Sequence, residues 1–144
     1  MMKNLFITAM CICLMTLAGC NKVSADTDSI NPKVQAVLAG KYPGAVIKDV
    51  EYDDGLIEVE IIHDGRGKDV YLTKDFVWVR SEWDVRKAEL PAAVLSKITS
   101  DWPAWKIDNA EYFETPTGSW YEIELEQGDS ELDIKISPDG IILK

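Results

Sequence analysis

The chain has 144 residues, 47% of them hydrophobic, and 25 Asp and Glu against 15 Lys and Arg for a formal net charge of −10. That length suits one ordinary core, and the acidic balance excludes nucleic acid and anionic lipid headgroups as natural ligands. Solubility and a cationic partner remain as the meanings of the charge.

In chain order, Lys3 and the apolar run at 5–17 come first. The run has the length of a signal h-region and is too short to span a bilayer as a helix. Leu17-Ala18-Gly19-Cys20 then matches the bacterial lipobox: an aliphatic residue, two small residues and a cysteine to be acylated. The expectation is a signal peptide at 1–19 and a lipidated tether at 20–30, with Cys20 as the lipidation site and the membrane as a partner through its acyl chains. Two or more chains hold a protein stably where one holds it marginally. Cys11 and Cys13 leave with the signal, so no thiol remains for a disulfide. Asn21 stands where an Asp would favour inner-membrane retention in enterobacterial lipoproteins. The expected location is therefore the cell envelope, at the outer membrane facing the periplasm or the cell surface.

Asn31 reads as an N-cap and Pro32 as the first helical residue. Val34, Val37, Leu38 and Tyr42 follow at helical spacing, and Pro43-Gly44 stops the helix. Residues 46–53 read as a strand whose imperfect alternation predicts an edge or a bulge. In 56–62 Ile57, Val59 and Ile61 alternate with Glu58 and Glu60, the period of two of a half-buried strand. After a turn at Asp64-Gly65, Val70 and Leu72 point inward and Asp69, Tyr71 and Thr73 outward. In 76–82 Val77 and Val79 are assigned inward, and Phe76, Trp78 and Arg80 outward. A second helix follows Pro91, and strands are predicted near 105–114, 119–126, 131–137 and 140–143. Their inward set is Tyr121, Ile123, Leu125, Leu132, Ile134, Ile136, Ile141 and Leu143.

The two stretches are one unit written twice. Tyr42-Pro43 recurs as Trp102-Pro103, and Val34, Ile47, Glu51 and Tyr52 recur 60 residues on as Val94, Ile107, Glu111 and Tyr112. After a short insertion the match resumes 64 residues on, where Glu58-Val59-Glu60-Ile61 becomes Glu122-Ile123-Glu124-Leu125. About 10 identities stand against roughly 3 expected from ordinary residue frequencies. The predicted fold class is α+β: two tandem helix-plus-antiparallel-sheet repeats, residues 31–86 and 87–144, forming one two-layer domain of about eight strands with both helices on the apolar face. This pattern of helix, Tyr/Trp-Pro, Glu-Tyr, alternating Glu and hydrophobic residues, then Asp-hydrophobic-x-hydrophobic resembles the PepSY-like family of secreted bacterial proteins. These share the fold of the beta-lactamase inhibitor protein. The resemblance covers about residues 31–144. It implies a periplasmic or surface binding module without catalytic residues.

The residues themselves offer little chemistry. His63 is the sole histidine, beside the Asp64-Gly65 turn, and reads as an exposed turn residue. The Gly-x-Ser-x-Gly, P-loop, His-Glu-x-x-His and Cys-x-x-Cys motifs are absent. Glu58 with Glu60, and Glu122 with Glu124, lie about 7 Å apart along their strands. That separation suits an inverting glycosidase, but an open sheet face has no cleft to drive two carboxyl pKa values apart. A calcium site on these glutamates has no loop to complete it, since neither Asp53-Asp54-Gly55 nor Asp129 sits in an EF-hand pattern. No enzyme, cofactor or metal is expected. The candidate partner-binding residues are Tyr71, Trp78, Arg80 and Trp120, rimmed by Glu58, Glu60, Glu122 and Glu124, because aromatics on a wet sheet face suit recognition. The expected function is a lipid-anchored, non-enzymatic envelope binding module that recognises a protein or peptide through its open sheet face. The alternatives are a structural or assembly lipoprotein of an outer-membrane complex, and a small-ligand or cation binder.

Overall fold

A computed structural model describes residues 30–53 and 55–144. The signal, Cys20 and most of the tether lie outside the described residues. Helix α1, Pro32–Lys41, begins as its sequence dictates: the Asn31 side chain accepts a hydrogen bond from the Lys33 amide at 2.9 Å, and proline follows the cap. Val34 and Leu38 are buried on one face. Pro43 and Gly44, the latter at φ +82°, end the helix.

Among the described residues seven antiparallel strands form one sheet, ordered as in the chain. They are β1 Val46–Asp53, β2 Leu56–His63, β3 Arg66–Thr73, β4 Trp78–Asp84, β5 Lys106–Thr115, β6 Gly118–Gln127 and β7 Ser130–Ile136. Helix α2, Ala92–Asp101, lies between β4 and β5 after a 3-10 turn at Lys87–Glu89. The predicted irregularity of β1 is real: its register with β2 breaks between Ile47 and Asp49, and that of β5 with β6 breaks between Ile107 and Asn109. Among the described residues no helix is long and apolar enough to cross a membrane.

Two clusters of buried side chains make up the core. One joins Val34, Leu38 and Tyr42 to Ile57, Val59, Ile61, Val70 and Leu72. The other joins Leu90, Val94 and Ile98 to Ala110, Tyr121, Ile123, Leu125, Ile134 and Ile136. Between them β4 pairs with β5, Ser81 to Asp84 opposite Glu114 to Glu111. The Trp83 ring lies 4.7 Å from that of Tyr112 across that seam, and Tyr112 in turn lies 4.9 Å from Tyr121 on β6. Glu114 accepts hydrogen bonds from Lys41 Nζ and the Tyr42 hydroxyl, each at 3.1 Å, so the end of α1 is tied to β5.

Three expectations are corrected. The eighth strand at 140–143 does not form: the chain turns back through Pro138-Asp139-Gly140 and makes one isolated bridge, Ile136 with Ile142, leaving Ile141 exposed. The facing at the entry to β4 is reversed up to the bulge, while Arg80 beyond it faces outward as expected. Phe76 adopts φ +63°, Leu72 pairs with Trp78, Tyr71 pairs with Arg80, and Val79 is the extra residue of a bulge. Trp78 and Phe76 therefore pack against the first core cluster, while Val77 is exposed. His63 is not an exposed turn residue: its ring lies 5.3 Å from that of Tyr42, and its side chain is mostly covered.

Candidate functional site

The site is the face of the sheet turned away from the two cores. Strand parity puts Asp49 and Glu51 of β1, Glu58 and Glu60 of β2, and Asp69 and Tyr71 of β3 on this face. Arg80, Glu82 and Asp84 of β4, Glu111 and Phe113 of β5, and Trp120, Glu122 and Glu124 of β6 continue it. Cross-strand register then lines up like charges. Asp49, Glu60, Asp69 and Glu82 stand opposite one another across four adjacent strands, and Asp84, Glu111 and Glu122 across three. Directly opposed like charges destabilise a sheet.

Two of the hollows among these carboxylates, one in each half, repeat each other. One, of about 110 Å³, is lined by Asp49, Glu51, Glu58, Glu60 and Asp69. The other, of about 320 Å³, is lined by Asn109, Glu111, Glu122, Ile123, Glu124 and Asp133. At the spacings of 60 and 64 their polar linings correspond residue for residue, with Asn109 in place of Asp49. Among the described residues no three His, Cys, Asp or Glu side chains converge as a metal shell.

The crowding is written in the proton affinities. Burial pushes the Asp69 carboxyl up to about 6, helped by Glu58, Glu82 and Glu60. Burial likewise pushes Glu111 up to about 7, with Glu82, Asp84 and Glu122 adding to it. Glu124 is raised by burial and by Glu131 and Asp133. Each shift has the same origin: a charge in partial burial without a cation beside it is costly.

Two cations of this face, Arg80 and Lys135, sit on aromatic rings. The Arg80 guanidinium lies 3.9 Å from the Tyr71 ring and donates to Glu82 at 2.7 Å, and the Tyr71 hydroxyl donates to Glu82 at 2.9 Å. Lys135 Nζ lies 3.7 Å from the Trp120 ring, which stacks on Phe113 at 5.3 Å and donates through Nε1 to Glu122 at 3.0 Å. The face thus has two platforms for a planar or charged group, Tyr71 with Arg80 and Trp120 with Phe113.

Of the residues predicted for the site, Tyr71, Arg80, Trp120, Glu58, Glu60, Glu122 and Glu124 share this face. Trp78 does not. Its indole donates to the buried Ser81 hydroxyl at 2.9 Å, and Lys41 Nζ lies 3.4 Å from its ring on the helix side. Phe113 was missed, although its register with Trp120 follows from the same bulge that re-phases β5. Of the most perturbed carboxyls of the face, Asp69 was legible only as an outward residue of its strand and Glu111 only as the repeat of Glu51.

No family model matches the chain, and no curated protein does. Solved structures do. A BLIP-like protein from Bacteroides fragilis superposes with a TM-score of 0.71 at 26% identity, over 79% of this chain and 83% of that one. A DUF2874 family protein from Bacteroides ovatus gives 0.69 at 25% identity, over 78% and 83%. A candidate periplasmic protein from Bacteroides eggerthii gives 0.68 at 22% identity, over 79% and 86%. These neighbours bear out the resemblance to the beta-lactamase-inhibitor-like family; its PepSY-like part rests on the sequence pattern alone. The described residues, with one antiparallel sheet and two α-helices, are similar in architecture to Bacteroides proteins of the BLIP-like and DUF2874 kinds.

Proposed function

We propose that this protein is a non-enzymatic binding module of the bacterial envelope whose outward sheet face recognises a basic protein or peptide. One observation carries the reading. The face opposes carboxylates strand after strand at a cost to the fold, and places aromatic platforms among them. A partner's Lys and Arg side chains neutralise the ladder, while its apolar centre lies on Trp120 and Phe113. The BLIP-like and periplasmic names of the structural neighbours support a secreted binding role. In this reading Cys20 carries the acyl chains, residues 21–30 are the leash, and the outer membrane is the anchor. The two halves are a tandem duplication laid side by side as one two-layer body, with the helices on the side away from the partner.

The experiment is capture from native envelope on a Cys20→Ala form of the chain. The expected result is a basic polypeptide that is released by about 0.5 M salt, because the Debye length shrinks to a few ångströms there. Trp120→Ala should reduce its capture. A retained set without cationic members, or capture indifferent to both salt and Trp120→Ala, overturns the reading. A stoichiometric membrane partner that resists salt points instead to the structural role.

A further inference from the structure

The sheet ends on β1, and among the described residues no strand pairs with its outer side. The strand is eight residues long and leaves Val46 and Tyr52 exposed, Tyr52 at 67%. A long exposed edge is a template for pairing with another chain.

The second half of the molecule shows what covers such an edge. Ile47, Val50 and Tyr52 of β1 correspond, 60 residues on, to Ile107, Ala110 and Tyr112 of β5, and both strands break register at the same place. On β5 the outer side is covered by β4 antiparallel, with Trp83 opposite Tyr112, their rings 4.7 Å apart. Just beyond, the Val85 amide donates to the Ala110 carbonyl at 2.9 Å. On β1 the Val50 amide is taken by the chain's own Asp49 carboxylate at 2.9 Å, which stands in for a neighbour's carbonyl. Beside it, between α1 and the start of β1, opens a cavity of about 550 Å³ lined by Leu38, Ala39, Tyr42, Ala45 and Ile47 among others. In the second half Trp105 stands at the position of Ala45 and packs on the core.

We propose that the β1 edge takes an extended segment of a partner polypeptide as an added antiparallel strand. Its aromatic side chain stacks on Tyr52 from the helix side, and its basic side chains face Asp49 and Glu51 on the other. Main-chain hydrogen bonds supply the affinity in such strand addition, and alternate side chains supply the specificity. The β4-on-β5 pairing is the template for the register. Charge selects the partner. A second copy paired β1 to β1 sets Asp49 and Glu51 against the same carboxylates, which is unfavourable. The chain's own residue 60 before Trp83 is Val23, which brings no ring for Tyr52. The site goes beyond the sheet-face reading: it shares Asp49 and Glu51 with that face and adds the open edge of β1 and Tyr52 on the helix side.

The test mixes the full chain, in detergent micelles, with a synthetic peptide copied from residues 79–86 with lysine in place of Glu82 and Asp84. Hydrogen exchange at the Val50 and Tyr52 amides is followed by NMR. The expected result is at least tenfold slower exchange with millimolar peptide. The slowing is lost with the Tyr52→Ala variant and with a peptide carrying alanine for Trp83, and is kept by Trp120→Ala. Unchanged exchange in the folded chain overturns the proposal. So does slow exchange at these amides without peptide at every protein concentration, which makes the chain's own leading segment the occupant. Slowing that grows with protein concentration alone, with a doubled mass, makes a second copy the occupant and overturns it equally.

Discussion

Asp69→Asn should make this protein more stable and a poorer binder. Asp69 stands between Glu60 and Glu82 in the ladder, and burial with those neighbours raises its carboxyl from 3.8 to about 6. At about 1.4 kcal/mol per pH unit that displacement corresponds to about 3 kcal/mol in an unscreened interior. On a half-buried face open to water, solvent screening cuts it to about 1 kcal/mol. The folded carboxyl keeps its proton to higher pH than the unfolded one. The folded state therefore binds more protons between about pH 4 and pH 6, and stability falls as pH rises through that window. Asparagine fills the same space and removes the effect. Urea melts should show the variant about 1 kcal/mol more stable at pH 8, or about 4 °C in Tm, and equal to the parent near pH 4. Glu111, raised to about 7, adds a decline of the same sign, so the parent itself should be more stable at pH 5 than at pH 8. Glu89 works the other way. Hydrogen bonds from Arg86 and Arg66 hold it down at about 2, and its contribution is lost only as pH falls below the ordinary carboxylate range. A gain of equal size at both pH values, or a loss at pH 8, refutes the idea that opposed carboxylates strain this face.

Trp78→Ala should cost about 3 kcal/mol in a urea melt, because it empties space against the first core cluster and takes one hydrogen-bond partner from the buried Ser81 hydroxyl. Trp120→Ala should leave the melt within about 0.5 kcal/mol and weaken capture of a basic partner by about 2 kcal/mol, read by titration calorimetry. Val59→Ala, at a fully buried position, should cost about 2 kcal/mol of stability without a direct effect on the face. Cys20→Ala should move the protein from the membrane fraction to the soluble one after a carbonate wash.

The sequence alone determined every element whose signal is local. The Asn31 cap, the proline start and the Gly44 stop set α1, since capping needs only neighbouring residues. Alternation in β2, β3, β6 and β7 placed Val59, Val70, Ile123 and Ile134 in the core and the glutamates outside, since successive side chains of a strand face opposite ways. Even the bulge in β1 was legible as a fault in that alternation. Facing was lost where one residue broke the period. The left-handed Phe76 and the extra Val79 re-phased β4, turned Trp78 inward, and left Arg80 and Glu82 outside. The tail at 140–143 formed no strand, because the turn at Gly140 gave it only one bridge to β7. Only the tertiary structure could decide which side chains face each other across strands. Register depends on turns, bulges and packing between distant segments, so the Asp49, Glu60, Asp69 and Glu82 ladder exists only once four strands are laid side by side.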